Sequence, residues 1–138
     1  MNMAVYPQQN VADLIEEEFV PVRITPDKPE LFGTYAVNSV PEFIITGADG
    51  LECERRAGFL DAEALMSFCL LALGKYYHDH REIEKAQQYI ERLIITYPQS
   101  VDAPEAVFLQ GVYGYLISHA PACLKISLFT LAQNYRSE

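Results

Sequence analysis

Hydrophobic positions along the chain change period several times, and each change marks an element. Val11, Leu14, Ile15 and Glu18 recur at helical spacing, which predicts a helix over residues 8–18. Val20, Val22 and Ile24 then alternate with other residues, a strand pattern over 19–25, although Pro21 has no N–H to give a central strand. Pro26-Asp27-Lys28-Pro29 breaks that run, and Pro29 suits the first turn of a short helix over 30–35. Pro41 opens an apolar run over 42–46 that ends in the turn Gly47-Ala48-Asp49-Gly50. A glycine-bearing turn between two extended runs makes a hairpin, with residues 51–56 as the antiparallel partner and Gly58 as its end. Val40 must be extended because the proline ring crowds it, and its bond to Pro41 can adopt the cis form at modest cost.

The second half reads as helix throughout. Asp61 caps a helix beginning at Ala62. Asp79 with Glu82 forms a capping-box-like pair, after which Ile83, Ala86, Ile90, Leu93, Ile94 and Tyr97 trace one apolar face as far as Pro98. Asp102 with Glu105 repeats the device. Residues 103–118 are apolar nearly all round, so this helix is expected to be the most enclosed. Pro121 starts the last helix, where Leu124, Leu128, Leu131 and Tyr135 share a face. Gly74 to Gly111 and Tyr97 to Tyr135 are offset by 37 and 38 residues, the sign of a repeated helical unit.

Composition narrows the class of protein. At 138 residues the chain is one domain, or two small units sharing a core, and folding buries roughly two-thirds of the unfolded surface. Half of the residues are hydrophobic and 21% are charged, the balance of a globular protein. The net charge of -9, with no basic cluster, argues against nucleic acid or an anionic membrane as partner. Cys53, Cys69 and Cys123 give an odd count without CxxC or metal-like spacing, which disfavours a disulfide framework and suits a reduced cytoplasm. Neither a signal-peptide pattern nor an apolar run of about 18 residues is present, so no membrane span is expected.

Two families are resembled. Tyr6-Pro7 with Val11, Phe19-Val20-Pro21-Val22, Pro29-Glu30-Leu31 with Tyr35-Ala36-Val37, Val40-Pro41, and Gly58-Phe59 stand in the order and spacing of landmarks in thioredoxin-like proteins, over about residues 4–73. Leu70, Leu73, Gly74, Tyr77, Ala86 and Pro98 are similar to one tetratricopeptide (TPR) repeat, with Ile90 where that pattern has an aromatic. The second repeat is degenerate: Gln110, Gly114 and Cys123 occupy places that call for Leu, Tyr and Ala. Together the resemblances imply an α+β fold, an incomplete thioredoxin-like β-α-β-β unit over 1–73 followed by a TPR-like helical hairpin array over 62–138. The two units would share the helix from Ala62. The chain departs from the thioredoxin-like pattern in lacking its first strand and CxxC, so thiol exchange has neither a low-pKa thiolate nor a resolving thiol. That missing strand lies centrally in the family's sheet, so three outcomes follow: its neighbours pair directly, upstream residues supply it, or, as expected here, a second copy covers the edge it leaves.

Candidate chemistry is sparse. The cysteines suit inert packing. His78-Asp79-His80 offers two imidazoles but no third ligand near in sequence, so no metal and no cofactor is expected. Glu16-Glu17-Glu18 suits a solvated helix end. The resemblance to thioredoxin-like proteins implies peptide binding at Val40 and Pro41, and Tyr76, Tyr77 and Tyr113–Tyr115 are groove candidates on the helical side. Two functions remain. One is a non-catalytic module for binding protein or peptide, cytoplasmic and dimeric. The other is the downstream part of a thiol-disulfide oxidoreductase whose CxxC lies upstream.

Overall fold

The sequence punctuation at Pro29, Pro41, Gly58, Pro98 and Pro121 sets most element boundaries in the computed structural model, which describes residues 9–135. The order is α1 (Gln9–Glu18), α2 (Pro29–Thr34), β1 (Glu42–Thr46), β2 (Glu52–Ala57), α3 (Ala62–Asp79), α4 (Ile83–Thr96), α5 (Ala103–Ser118) and α6 (Pro121–Asn134). The described residues form an α+β structure, mostly helical, with one two-stranded antiparallel sheet among them. The landmarks Tyr6-Pro7 and the start of the first expected helix at Gln8 lie outside the described residues. Two compact units divide within α3, at Met66 and Ser67.

In the first unit, α1 buries Val11 and Leu14, the apolar stripe of its sequence. The strand expected over 19–25 does not form: the segment has no regular structure, and Val20 and Val22 are 89% and 77% exposed. Alternation alone stabilises nothing without a partner, and Pro21 removes one of the donors needed to recruit one. The expected β-α-β-β order is therefore α-α-β-β among the described residues. The hairpin forms as read. Its turn is closed by Gly50 N–H to Gly47 O at 3.0 Å and Gly47 N–H to Leu51 O at 2.9 Å, with Asp49 Oδ1 accepting from Leu51 N–H at 3.0 Å. Gly50 supplies the φ of +81° that a Cβ would resist. Ile45 stands opposite Glu54 and Thr46 opposite Glu52, so Cys53 is the extra residue of a bulge.

In the second unit, α3 is the enclosed helix: every residue from Ser67 to Gly74 is buried. That place was expected for α5, whose outer side instead leaves Phe108, Tyr115 and Leu116 47%, 37% and 41% exposed. Asp61 caps α3 as expected, accepting from Ala64 N–H at 2.8 Å. The other two capping pairs do not form. Asp79 is the last residue of α3 and Glu82 stands at the N-cap of α4 with no side-chain bond, because Arg81 at φ +63° tightens the turn between them. Asp102 is 3% exposed and accepts from Ser67 Oγ at 2.7 Å rather than capping α5.

The 37-residue offset of Gly74 and Gly111 has a counterpart in their contacts. Gly74 faces Ile90, and a Cβ there would stand 3.5 Å from Ala86 O; Gly111 faces Ser127, and a Cβ there would stand 3.1 Å from Cys123 O. Each partner is displaced by the 37 residues that separate the glycines. Both glycines allow the two helices of a hairpin to touch at their backbones. Ser67 with Asp102, Lys75 with Glu105 at 2.7 Å, and His78 with Tyr113 advance in the same direction, so α3 and α5 run parallel as the first helices of two stacked hairpins.

Candidate functional site

Polar contacts gather at the mouth of β1. Val40 and Pro41 are joined by a cis peptide bond, and Val40 is 66% exposed. Pro41 O accepts from Gly58 N–H at 2.8 Å, which extends the hairpin by one bond past its regular strands. Glu42 lies 8% exposed beside it and receives Arg55 Nη1 at 3.3 Å, while its other carboxylate oxygen is buried with no partner among the described residues. Arg55 also reaches Glu52 Oε2 at 2.9 Å, donates to Ala36 O at 3.3 Å, and donates to Tyr35 O. One guanidinium thus ties both strands to the end of α2, where Ala36 adopts φ +51° and leaves its carbonyl free of helical bonding. Sequence reading passed over Arg55. Its only signal was the run Glu52-Cys53-Glu54-Arg55-Arg56 on a strand, which does not say which basic residue turns inward.

β1 pairs with β2 on one side, and no strand lies on its other side among the described residues. β1 itself, next to an exposed Val40, is partly buried from Glu42 to Ile45 and exposed at Thr46. Such an edge accepts an extended chain through main-chain hydrogen bonds.

The groove candidates of the helical side are taken up by one another. Tyr77 stacks on Tyr89 with ring centres 5.4 Å apart and 5° between planes, Lys85 Nζ lies 4.2 Å from the centre of the Tyr77 ring, and Tyr76 meets Tyr77 edge-on at 5.2 Å. His80 packs 4.0 Å from Tyr76 and its Nδ1 lies 2.8 Å from Tyr76 O. These rings seal the α3–α4 turn. Tyr113 is 1% exposed and stacks on His78, so it belongs to the core and not to a groove wall. Burial pushes its hydroxyl pKa up to about 12; the Asp79 carboxylate adds to that, with Lys75 opposing and Glu105 contributing least. Tyr115 is more open, 37% exposed, and set edge-on to His119 at 6.2 Å.

The cysteines are unpaired with each other, and burial pushes the Cys69 thiol up to about 12, far from a reactive thiolate at neutral pH. Among the described residues no three His, Cys, Asp or Glu side chains converge on a metal position, and no helix is long and apolar enough to cross a membrane. His78 instead approaches Asp79 at 3.3 Å, an exposed neighbour pair. No protein-family model, curated protein or solved structure matches the chain.

Proposed function

We propose that this chain is a non-catalytic protein-binding module of combined thioredoxin-like and TPR-like type, which takes up an extended peptide beside β1 at Val40 and Pro41. The observation that carries the reading is the two-stranded sheet with its β1 edge unpaired by any strand among the described residues, beginning at an exposed Val40. An added strand would satisfy those backbone groups, and the side chains of Val40 and its neighbours would supply selectivity. Arg55 supports the site by fixing Glu42 and the α2 end against the strands. Nothing in this task requires a thiolate, which agrees with the buried Cys69.

The test is an array of short synthetic peptides probed with the isotope-labelled protein, followed by amide chemical-shift mapping of the best binders. Shifts confined to residues 40–46, and binding weakened several-fold by Arg55→Ala, are the expected result. Binders that move only the helical unit would overturn the site. Turnover in an insulin-reduction assay would overturn the non-catalytic assignment.

A further inference from the structure

The carboxylate of Glu42 is short of one hydrogen-bond donor, and the sheet itself explains why. Arg55 has five N–H groups and all are engaged: Nε on Glu52, Nη2 on Glu52 and Tyr35 O, and Nη1 on Glu42 Oε1 and Ala36 O. The guanidinium therefore has nothing left for Glu42 Oε2, which is buried with no partner among the described residues. On β2 the residue opposite Glu42 is Ala57, whose side chain has no polar atom. An oxygen buried in this way bears the loss of its hydration uncompensated. Charge points in the same direction, since Glu42 and Glu52 bring two negative charges to one guanidinium.

The unpaired side of β1 leads to the same residue. Gly58 N–H donates to Pro41 O at 2.8 Å, and the register runs on from that pair through Glu42 opposite Ala57 and Phe43 opposite Arg56. Backbone groups alternate sides along an antiparallel strand, so Pro41, Phe43 and Ile45 turn theirs toward β2 while Glu42 and Ile44 turn theirs away. An antiparallel strand added on that side sets one of its residues directly opposite Glu42, with both side chains on one face and their Cβ atoms about 5 Å apart. We infer that this residue of the bound peptide is basic, a lysine or arginine whose side chain donates to the Glu42 oxygen that Arg55 leaves unserved. The net charge of -9 favours the approach of such a peptide over an acidic one. The inference rests on the peptide-binding reading of β1 and names the class of peptide taken there.

Titration of the full chain with three acetylated and amidated pentapeptides tests it: Ser-Val-Lys-Val-Ser, the same peptide with norleucine in place of lysine, and the same with glutamate. Amide chemical shifts locate each complex, and circular dichroism with thermal melting checks that Glu42→Gln folds. The lysine peptide should shift amides within residues 40–46 and bind the wild type about fivefold more tightly than the norleucine peptide, with the glutamate peptide weakest. Glu42→Gln should reduce the lysine preference to about twofold or less. In the wild type the carboxylate carbon resonance of Glu42 should move with the lysine peptide and not with the norleucine peptide, a readout that needs no variant. Equal binding of those two peptides at residues 40–46 would overturn this inference and leave the peptide-binding reading standing. So would a lysine preference undiminished in folded Glu42→Gln, or a Glu42 resonance that stays still. If none of the three peptides binds at residues 40–46, the peptide-binding reading falls, and this inference with it.

Discussion

Tyr113 shows how a residue changes meaning once its neighbours are fixed. As one of three consecutive Tyr, Gly and Tyr positions it has the look of a surface aromatic, yet it is 1% exposed, stacked on His78 and close enough to Asp79 to resist ionisation. The sign of the consequence follows. Its pKa is near 10 when unfolded and about 12 when folded, so its contribution to stability is complete below about pH 10 and is lost as pH rises toward 12. The expected loss is on the order of 2 kcal/mol across that window. Chemical denaturation at a series of alkaline pH values checks it: Tyr113→Phe should remove this share of the pH dependence while other titrations remain, and identical slopes for both proteins would contradict it. No pattern in the sequence announces the effect, because the proximity of Asp79 and His78 to Tyr113 arises from the parallel packing of α3 and α5.

At the scale of elements, glycines separate the helix crossings from the open positions. A Cβ on Gly111 would meet Ser127 Cβ at 2.5 Å and Cys123 O at 3.1 Å, so α6 would have to move. Gly33 in α2 has nothing within 4 Å. Alanine gains about 1 kcal/mol of helix propensity at either site, but at Gly111 overpacking costs about 1–3 kcal/mol and wins. Thermal or urea unfolding should therefore show Gly111→Ala destabilised and Gly33→Ala unchanged or slightly more stable; equal responses would contradict the close α5–α6 crossing. The two glycine crossings differ in their partners. Ser127 and Cys123 stand where hairpin one has Ile90 and Ala86, and with small residues on both sides the crossing is made by backbone approach more than by interdigitated side chains. The 37-residue offset of the glycines was legible in the sequence. The replaced capping pairs were not, because Asp102 has a stronger claim on Ser67, a residue 35 positions away, than on its own helix.

At the scale of the whole molecule, stability should be unevenly distributed. Residues 65–74 of α3 are buried without interruption, and α4 and α5 add Ile90, Leu93, Ala106 and Val107 to the fully or nearly fully buried set. The sheet has two strands among the described residues, which is marginal by itself in water. Hydrogen exchange followed by mass spectrometry should find the slowest amides in α3 to α5, intermediate protection in the hairpin, and rapid exchange over 19–25, where no regular backbone bonding exists. Protection over 19–25 equal to that of the hairpin would contradict this account. The sequence by itself determined the helices, the hairpin and the repeat offset, because these follow from local rules: side-chain period, proline and glycine punctuation, and the carboxylate at Asp61. Only the tertiary structure decided that residues 19–25 remain unpaired, that α3 and not α5 is enclosed, that Arg55 turns inward at the mouth of β1, and that Phe108 and Leu128 stay in solvent. Each of those depends on what lies opposite a residue in space, and a one-dimensional pattern specifies which face is apolar without specifying whether anything covers it.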